Sequence, residues 1–177
     1  ARDDADGVTD TDVRHPKFWH DDCHSHLRLL HGGPGTGKTH AVTALVGALR
    51  ATLGERSVLV SATTGVASVN VGGATYHSQL GINPKAGWKK LSTQAKAKIR
   101  RTFDGVFLWV IDEVSMLDCK SLGNLDRRLR EVYDLDVPFG GLGVLLVGDL
   151  VQIEAVKSSC LLHQPPKGRK NLCKLDE

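Results

Sequence analysis

A glycine-rich segment near the start of the chain has the residue types and spacing needed to hold phosphate. It reads Gly32-Gly33-Pro34-Gly35-Thr36-Gly37-Lys38-Thr39, a glycine and four variable residues followed by Gly-Lys-Thr. Glycine lets backbone N–H groups curl around phosphate oxygens, because a Cβ would block both the close approach and the positive φ angles. We expect Lys38 to reach the β- and γ-phosphates and Thr39 to bind the accompanying Mg²⁺. The residues expected around the phosphates are Gly33, Pro34, Gly35, Thr36, Gly37 and Lys38.

An acidic pair follows a buried-strand pattern farther along the chain. Residues 106–111 form an unbroken apolar run, and Asp112 and Glu113 come directly after it. One carboxylate there can hold Mg²⁺ through water, and its neighbour, which points elsewhere because strand side chains alternate, can orient or deprotonate an attacking water. The structural alternative is a pair of acids that caps the next helix. Asp149 and Gln152 follow another apolar run, and the amide of the latter could sense a γ-phosphate.

The order of apolar patterns predicts the elements that position these groups. Leu27, Leu29 and Leu30 predict a strand before the glycine-rich segment. Apolar residues at helical spacing over residues 38–53, followed by Gly54, predict a helix after it. A phosphate-binding loop requires this strand and helix, so the setting argues against the alternative of a glycine-rich turn that binds nothing.

Later patterns extend the same arrangement. Short apolar runs that predict further buried strands lie at 58–60, 106–111 and 144–147, and one more amphipathic helix is predicted by Leu122, Leu125, Leu129 and Val132. Unbroken Val, Leu and Ile runs that alternate with helices indicate an α/β fold with a central, mostly parallel sheet flanked by helices. Ligands of such sheets bind beyond the carboxyl ends of the strands, which is where the polar groups described above fall.

The overall composition limits the classes of protein to consider. With 177 residues, of which 41% are hydrophobic and 24% charged, the chain has the composition of one globular domain rather than of a disordered segment. No apolar run approaches the roughly 18 residues of a membrane span, so a membrane protein is excluded. The four cysteines are widely spaced, which favours a reducing, intracellular compartment. The cysteines do not identify that compartment, and we expect the nucleus or mitochondrion if the chain is eukaryotic.

Charge separates an acidic first segment from the rest of the chain, and the placement of the motifs divides that rest into a lobe and a tail. Residues 1–26 carry seven acidic and three basic residues, which leaves +7 for the remainder of a chain whose net charge is +3. We expect a loose acidic arm over 1–26, an ATP-binding lobe over 27–156, and a basic tail or a linker to missing sequence over 157–177. The chain begins at Ala1 rather than at a methionine, so we expect a removed upstream part or a piece of a longer polypeptide.

A basic stretch without acidic residues runs through residues 85–101 and includes Trp88. A nucleic-acid groove could use such charges and stack a base on the indole ring. The alternative, which is more common for such a run, is the solvated face of a helix.

Taken together, these segments resemble the PIF (petite integration frequency) and RecD-like DNA helicases of superfamily one. The resemblance covers about residues 29–156, and it includes a particular stretch, Gly72-Gly73-Ala74-Thr75-Tyr76-His77-Ser78, that a phosphate-binding loop alone would not explain. The other segments similar to family motifs are residues 32–39, 61–68, 110–117 and 138–152. Five motifs in family order make a chance agreement improbable.

The resemblance implies a P-loop NTPase of the RecA-like kind and, within the family, the first of two motor lobes. It implies an ATP-driven motor that moves along single-stranded DNA from the five-prime toward the three-prime end and separates duplexes. It assigns Lys38 and Thr39 to phosphate and Mg²⁺. It assigns Asp112 to Mg²⁺, Glu113 to the attacking water and Gln152 to coupling. The residues that it places near the DNA backbone are Thr63, Thr64, His77 and Ser78.

Three differences from the family pattern bear on function. Family members usually carry an adenine-reading glutamine before the phosphate loop, whereas the first glutamine here is Gln79. The third motif commonly continues into two prolines, and here Glu154-Ala155 occupies that place. Nothing in the 177 residues resembles the second motor lobe with its arginine finger, a group worth about 10³–10⁵ in hydrolysis rate.

Two functional hypotheses remain open at this point. The first is an ATP-binding motor lobe that binds Mg-ATP but alone hydrolyses it slowly and unwinds no DNA, with a second lobe supplied in cis or in trans. The second is a degenerate helicase lobe retained as a structural or interaction module in a larger assembly. The intact phosphate loop and acidic pair favour the first, whereas the missing lobe and glutamine favour the second.

Overall fold

The computed structural model describes residues 27–65, 74–83 and 88–150. Five parallel strands form one sheet in the order β1-β5-β4-β2-β3. The strands are β1 (Leu27–His31), β2 (Val58–Ala62), β3 (Ala74–Thr75), β4 (Leu108–Asp112) and β5 (Gly143–Gly148). The helices are α1 (Lys38–Leu53), α2 (Tyr76–Gln79), α3 (Thr93–Thr102) and α4 (Cys119–Tyr133), and short 3₁₀ turns span Glu55–Ser57, Val114–Met116 and Pro138–Gly141. The predicted α/β fold with a parallel sheet and flanking helices is confirmed.

The register of the sheet brings the carboxyl ends of four strands to one edge. His31 pairs with Gly148, Ile111 with Leu146, and Ala62 with Asp112. Because all neighbouring strands are parallel, the loops that follow β1, β2, β4 and β5 leave the sheet on the same side.

Helix α1 has the bounds that the sequence predicts. It begins after Gly37, whose φ of 83° is left-handed, and it ends before Gly54, whose φ is 99° and whose N–H bonds to the Arg50 carbonyl. The helix covers one face of the sheet through Val42 and Val46, which pack on a buried valine cluster. That cluster is Val58, Val110 and Val147.

The opposite face of the sheet is covered by α4 and α3. The four apolar residues predicted for α4, which are Leu122, Leu125, Leu129 and Val132, are all buried. Asp118 caps the helix by accepting a hydrogen bond from the Ser121 N–H at 2.7 Å. Strand alternation adds Trp109 and Ile111 to the same core, so the main hydrophobic cluster lies between β4, β5 and α4.

Helix α3 corresponds to most of the basic stretch and presents mainly a solvated surface. Ile99 is its buried residue, while Lys96 and Arg100 both pair with Asp134 at the end of α4. The structure therefore supports the solvated-helix interpretation for the charges on α3, whereas Lys89 and Lys90 lie before the helix. The predicted strand at 106–111 begins at Leu108 instead, because the Val106 N–H closes a turn onto the Phe103 carbonyl.

Several sequence predictions lie outside the described residues. These are the acidic arm over 1–26, the basic tail over 157–177, and Gln152 at the end of the predicted lobe. Over the ranges that the structure does describe, the helices are too short or too polar to cross a membrane.

A tight turn before β5 holds three consecutive residues at positive φ, the last of which is Gly141 at 83°. Phe139 has a φ of 53° and Gly140 a φ of 60°. The Phe139 N–H donates to the Asp126 carboxylate at 2.6 Å, which fixes the turn against α4. A Cβ on Gly140 would lie 2.7 Å from the Leu129 carbonyl oxygen, so only glycine fits there.

We predict that Gly140→Ala lowers the free energy of unfolding by about 1–3 kcal/mol, because the new Cβ would strain the backbone and push against α4. The matched control is Gly47→Ala, because Gly47 lies within α1, where a Cβ would meet no heavy atom within 4 Å. That control is expected to raise stability by about 0.5–1 kcal/mol through helix propensity. Urea unfolding measures both changes, and equal stability of the two variants would contradict the account.

Candidate functional site

The glycine-rich segment forms a loop between β1 and α1 with the backbone that phosphate binding requires. Gly35 and Gly37 have φ angles of 72° and 83°, which L side chains rarely adopt. A Cβ on Gly32 would lie 2.7 Å from the Thr36 hydroxyl oxygen. That hydroxyl donates to the Gly33 carbonyl at 2.8 Å and closes the loop on itself.

The backbone N–H groups of residues 35–39 lie where this loop enters α1. The first hydrogen bond of α1 runs from the Ala41 N–H to the Gly37 carbonyl at 3.0 Å. Across the described ranges, no acceptor takes a hydrogen bond from the N–H groups of residues 35–39. These donors lie at the positive end of a 16-residue helix. The loop therefore fits a phosphate group, whose oxygens would supply the acceptors.

Lys38 lies at the same loop with its ammonium group turned toward the backbone. Its Nζ donates to the Gly32 carbonyl at 2.6 Å and to the Gly33 carbonyl at 2.8 Å. The ammonium group is thus held at the loop, where a phosphate oxygen could replace these carbonyls. Thr39 is exposed beside it, and no group in the described part of the chain bonds to its hydroxyl.

The acidic pair leaves the sheet at the end of β4, and both residues are half-buried. The Glu113 N–H donates to the Asp112 Oδ1 at 2.8 Å, and Glu113 itself has a left-handed φ of 59°. Ser115 donates its hydroxyl to the Glu113 Oε1 at 2.9 Å, which fixes the carboxylate. The backbone turns sharply at Glu113. The direction of the Glu113 side chain therefore follows from this turn and not, as expected from the sequence, from the alternation of side chains along a strand.

Strand β5 lies between the glycine-rich loop and the acidic pair. Its last residue is Gly148, where a Cβ would lie 2.8 Å from the Val114 backbone nitrogen. The absence of a side chain lets the Glu113–Val114 turn approach β5. On the other side, the Gly32 N–H donates to the Gly148 carbonyl at 3.3 Å. The same glycine therefore contacts both halves of the candidate site.

The segment after β2 is tied to the acidic pair through Thr63. Its N–H donates to the Asp112 carbonyl at 3.2 Å, and its hydroxyl donates to the Glu113 carbonyl at 2.7 Å. Thr63 is only 8% exposed, whereas the adjacent Thr64 is half-buried. The structure thus places Thr63 against the backbone of Asp112, the predicted magnesium ligand, and of Glu113, the predicted catalytic acid. Its predicted contact with DNA is not tested by these bonds.

Helix α2 carries two more of the predicted DNA-binding residues. Its first turn is capped by Thr75, and the Ser78 hydroxyl donates to the Thr75 carbonyl at 2.8 Å. Ser78 is exposed, whereas His77 is half-buried and stacks on Tyr76 with a centroid separation of 3.8 Å. Burial lowers the pKa of His77 below its ordinary value, which favours the neutral imidazole.

Two consecutive buried hydrogen bonds fix α2 on the sheet. The Trp109 Nε1–H donates to the Ser61 hydroxyl at 2.6 Å, and the Ser61 hydroxyl donates to the Gln79 side-chain oxygen. Ser61 and Trp109 are fully buried. This connection joins β4, β2 and α2, so His77 and Ser78 belong to the same rigid framework as the acidic pair.

The loop after β5 also contacts the glycine-rich loop. The Leu150 N–H donates to the His31 Nδ1 at 3.2 Å. A Cβ on Gly33 would lie 4.0 Å from the Asp149 Oδ2, so this carboxylate is beside the glycine-rich loop. Asp149 was predicted at this edge, whereas the role of His31 was not. Gln152, predicted to follow, lies outside the described residues.

Three positioning contacts were missed by sequence reasoning, namely those of Ser115, His31 and Gln79. Ser115 stands two residues after Glu113 and so offers a local signal, because a hydroxyl at that distance can reach the carboxylate. The His31 contact joins residues 119 positions apart, and the Gln79 contact joins residues 18 apart. No pattern in the sequence marks pairs at those separations.

The residues present also fit a single magnesium ion held together with phosphate. Within the described ranges, no three His, Cys, Asp or Glu side chains cluster as metal ligands. Mg²⁺ is commonly bound by one or two protein oxygens plus substrate phosphates and waters, so it does not need such a cluster. Thr39 and Asp112 supply the oxygens predicted to bind it at this edge of the sheet, and their role stays a prediction.

Comparison with known proteins gives the family. The family model of the PIF1-like helicases matches residues 22–164. The ATP-dependent DNA helicase PIF1 of Trypanosoma brucei brucei is 36% identical over 139 residues, which cover 78% of this chain and 14% of that protein. The ATP-dependent DNA helicase RRM3 of Saccharomyces cerevisiae is 34% identical over 131 residues, 71% of this chain and 18% of that protein.

Solved structures agree with the fold. Unliganded Pif1 from Bacteroides sp matches with a TM-score of 0.59 and 32% identity, over 78% of this chain and 31% of that one. Pif1 helicase from Bacteroides in complex with ADP-AlF3 and single-stranded DNA matches with a TM-score of 0.58 and 33% identity, with the same coverage. The chain thus spans less than a third of the matched structures and less than a fifth of these two relatives. It belongs to the PIF1-like helicase family and comprises a RecA-like portion of such a helicase.

Proposed function

We propose that this chain is the ATP-binding motor lobe of a PIF1-like helicase that moves along single-stranded DNA from the five-prime toward the three-prime end. The observation that carries the proposal is the loop of N–H groups over residues 35–39, to which the described part of the chain offers no acceptor, with the Lys38 ammonium beside it. The acidic pair leaves the same edge of the sheet two strands away. Together these groups offer the donors and the carboxylates that phosphoryl transfer from ATP requires.

In this proposal the loop residues Gly33, Pro34, Gly35, Thr36 and Gly37 hold the phosphates of ATP through backbone donors. Lys38 leaves the Gly32 and Gly33 carbonyls and binds the β- and γ-phosphates as a point charge. Thr39 and Asp112 hold Mg²⁺, which when bound neutralises charge on the phosphate oxygens.

Glu113 orients the attacking water and accepts its proton. Its backbone is held by Thr63 and its carboxylate by Ser115, so the acceptor oxygen is positioned before ATP binds. A positioned acceptor needs little rearrangement during the reaction, which is how such groups accelerate proton transfer. Gln152 is assigned to coupling on the family resemblance.

Thr63, Thr64, His77 and Ser78 are proposed to lie along the single strand. The Bacteroides helicase that resembles this chain was solved with single-stranded DNA, which supports the assignment. Thr63 also gives a direct route from the strand to catalysis, because its two hydrogen bonds hold the backbone of both acids. A second motor lobe, in cis or in trans, is the partner that unwinding would require.

We predict that Lys38→Ala weakens Mg-ATP binding by the 177-residue chain about 10- to 100-fold, because a charge-assisted contact to phosphate is lost. Isothermal titration calorimetry measures the affinity. Lys98→Ala is the matched control, because Lys98 is an exposed α3 lysine on the other side of the sheet. Equal binding by the Lys38 variant would refute the assignment, and a wild-type chain without affinity for Mg-ATP would favour the structural-module alternative.

We predict slow ATP turnover by the chain alone, lower by about 10³–10⁵ than that of a motor with an arginine finger. Phosphate release under saturating Mg-ATP, with and without oligodeoxythymidylate, measures the rate. Glu113→Gln should reduce this residual rate further while Mg-ATP still binds, because the amide cannot accept the proton. Rapid turnover by the isolated chain would contradict the need for a second lobe.

We predict that His77→Ala and Ser78→Ala each weaken binding of a fluorescent oligodeoxythymidylate about two- to ten-fold, the range for loss of one hydrogen bond. Fluorescence anisotropy at fixed ionic strength measures the affinity. Thr102→Ala serves as the control, because that exposed hydroxyl bonds only within α3. Wild-type affinity in both α2 variants would remove these residues from the strand path.

A further inference from the structure

A cavity of about 410 Å³ lies beside the proposed strand path, between α2, the segment 88–92 and the first turns of α4. Its lining includes four basic side chains and one acid, Asp118, whose carboxylate already caps α4. The basic residues are Lys89, Lys90, Lys120 and Arg128. Arg128 is paired with Glu131, so the excess of positive charge comes from the three lysines, and it favours an anionic occupant.

Arg128 is the buried group of this cavity. It is 3% exposed, and its two terminal nitrogens donate to the Glu131 carboxylate at 2.6 Å and the Lys89 carbonyl at 3.0 Å. Its Nε, which is also buried, bonds to no acceptor in the part of the chain that the structure describes. A buried guanidinium donor without an acceptor is uncommon in a folded protein. The side chain is a fixed part of the cavity wall, because its two terminal nitrogens are both bonded.

The wall of the cavity is fixed rather than loose. The guanidinium groups of Arg127 and Arg128 lie 4.3 and 4.2 Å from the centroid of the Trp88 ring. The Leu91 N–H donates to the Glu131 carboxylate at 2.7 Å, which ties the same segment to α4 a second time. Lys89 and Lys90 lie on this segment and are exposed, so their ammonium groups lie at the solvent-facing opening of the cavity. The Trp88 ring already stacks with arginine, which argues against its predicted stacking with a base.

We propose that this cavity is a subsite for one phosphorylated nucleoside unit, with lysines at the opening on the phosphate and a donor inside on the base edge. The donor inside is the side-chain amide of Asn124, which lines the cavity together with Arg128. A cavity of this volume is in the range that holds small ligands. The inference rests on the proposed function, because His77 of the proposed strand path also lines the cavity.

Two sources could supply such a unit, a residue of a bound single strand or a free mononucleotide. We assign the subsite to the shared chemistry, a phosphate joined to a base through a sugar. Competition between thymidine monophosphate and oligodeoxythymidylate separates the two sources. Displacement by the monophosphate at matched nucleotide concentration indicates the free nucleotide, and displacement only by the oligomer indicates the strand.

The test uses the 177-residue chain and a fluorescent oligodeoxythymidylate of about eight nucleotides, a length within the usual site size of single-strand binders. Lys120→Ala is the first variant, because Lys120 is exposed and its ammonium bonds to no group in the described ranges. We expect about a three- to ten-fold loss of affinity and a salt slope smaller by about 0.7, the value for one phosphate contact on a single strand. Lys98→Ala, outside the cavity, should show neither change.

The second variant tests recognition of the base. Asn124→Leu keeps the size of the side chain but removes its amide. The wild-type chain should bind the thymidylate oligomer more tightly than an abasic oligomer with the same phosphates, and Asn124→Leu should reduce that ratio about three-fold or more. Circular dichroism and thermal unfolding show whether each variant is folded.

Four results would overturn the proposal. The first is wild-type affinity and salt slope in the Lys120 variant, and the second is an unchanged base preference in the Asn124 variant. The third is equal competition by polyglutamate at matched charge, which would make the cavity a general basic surface. The fourth is a wild-type chain without affinity for the oligomer, which would also remove the strand path. Mg-ATP binding through Lys38 is measured separately, so loss of the subsite is distinguishable from failure of the ATP-binding assignment.

Discussion

The structure depends on the parallel register of β1, β5, β4 and β2, because this register brings chemically different loops to one edge. No single loop contains all the residues of the candidate functional site. The glycine-rich loop provides backbone donors and an ammonium group, whereas the loop after β4 provides carboxylates. The pairing of His31 with Gly148 and of Ala62 with Asp112 sets where these groups emerge. A slip of one residue in any pair would turn buried side chains toward the opposite face of the sheet, so the hydrophobic core enforces the geometry of the site.

Positive φ angles occur where the chain must leave a strand or enter a helix abruptly. Gly35 and Gly37 adopt them without steric cost, and they expose the N–H groups that an ordinary turn would use. Glu113 adopts one with a side chain, which costs about 1 kcal/mol or more. The bonds to Asp112, Thr63 and Ser115 offset that cost. Strain at a residue proposed to handle the attacking water fits a site whose geometry is set before substrate arrives.

Local signals in the sequence were sufficient for much of this arrangement. The bounds of α1 follow from two glycines, and the buried face of α4 follows from its apolar spacing. Helix α3 was not assigned as an element because it buries only Ile99, so its apolar period is nearly absent. The strand near residue 106 begins two residues late because a turn uses the Val106 N–H. Contacts between distant residues, such as that of His31, depend on the folded sheet and carry no local signal.

The two hydrogen bonds of Thr63 constrain how the proposed DNA path and the ATP site can communicate. They attach to the backbone of the acidic pair, whereas Ser115 holds the Glu113 carboxylate separately. A shift of the segment after β2 would therefore move the main chain of Glu113 without releasing its side chain. Coupling between two sites requires one element whose arrangement both ligands bias. The turn at Glu113 contacts both sides, because Gly148 packs against it from the side of the glycine-rich loop and Thr63 from the side of the proposed strand path.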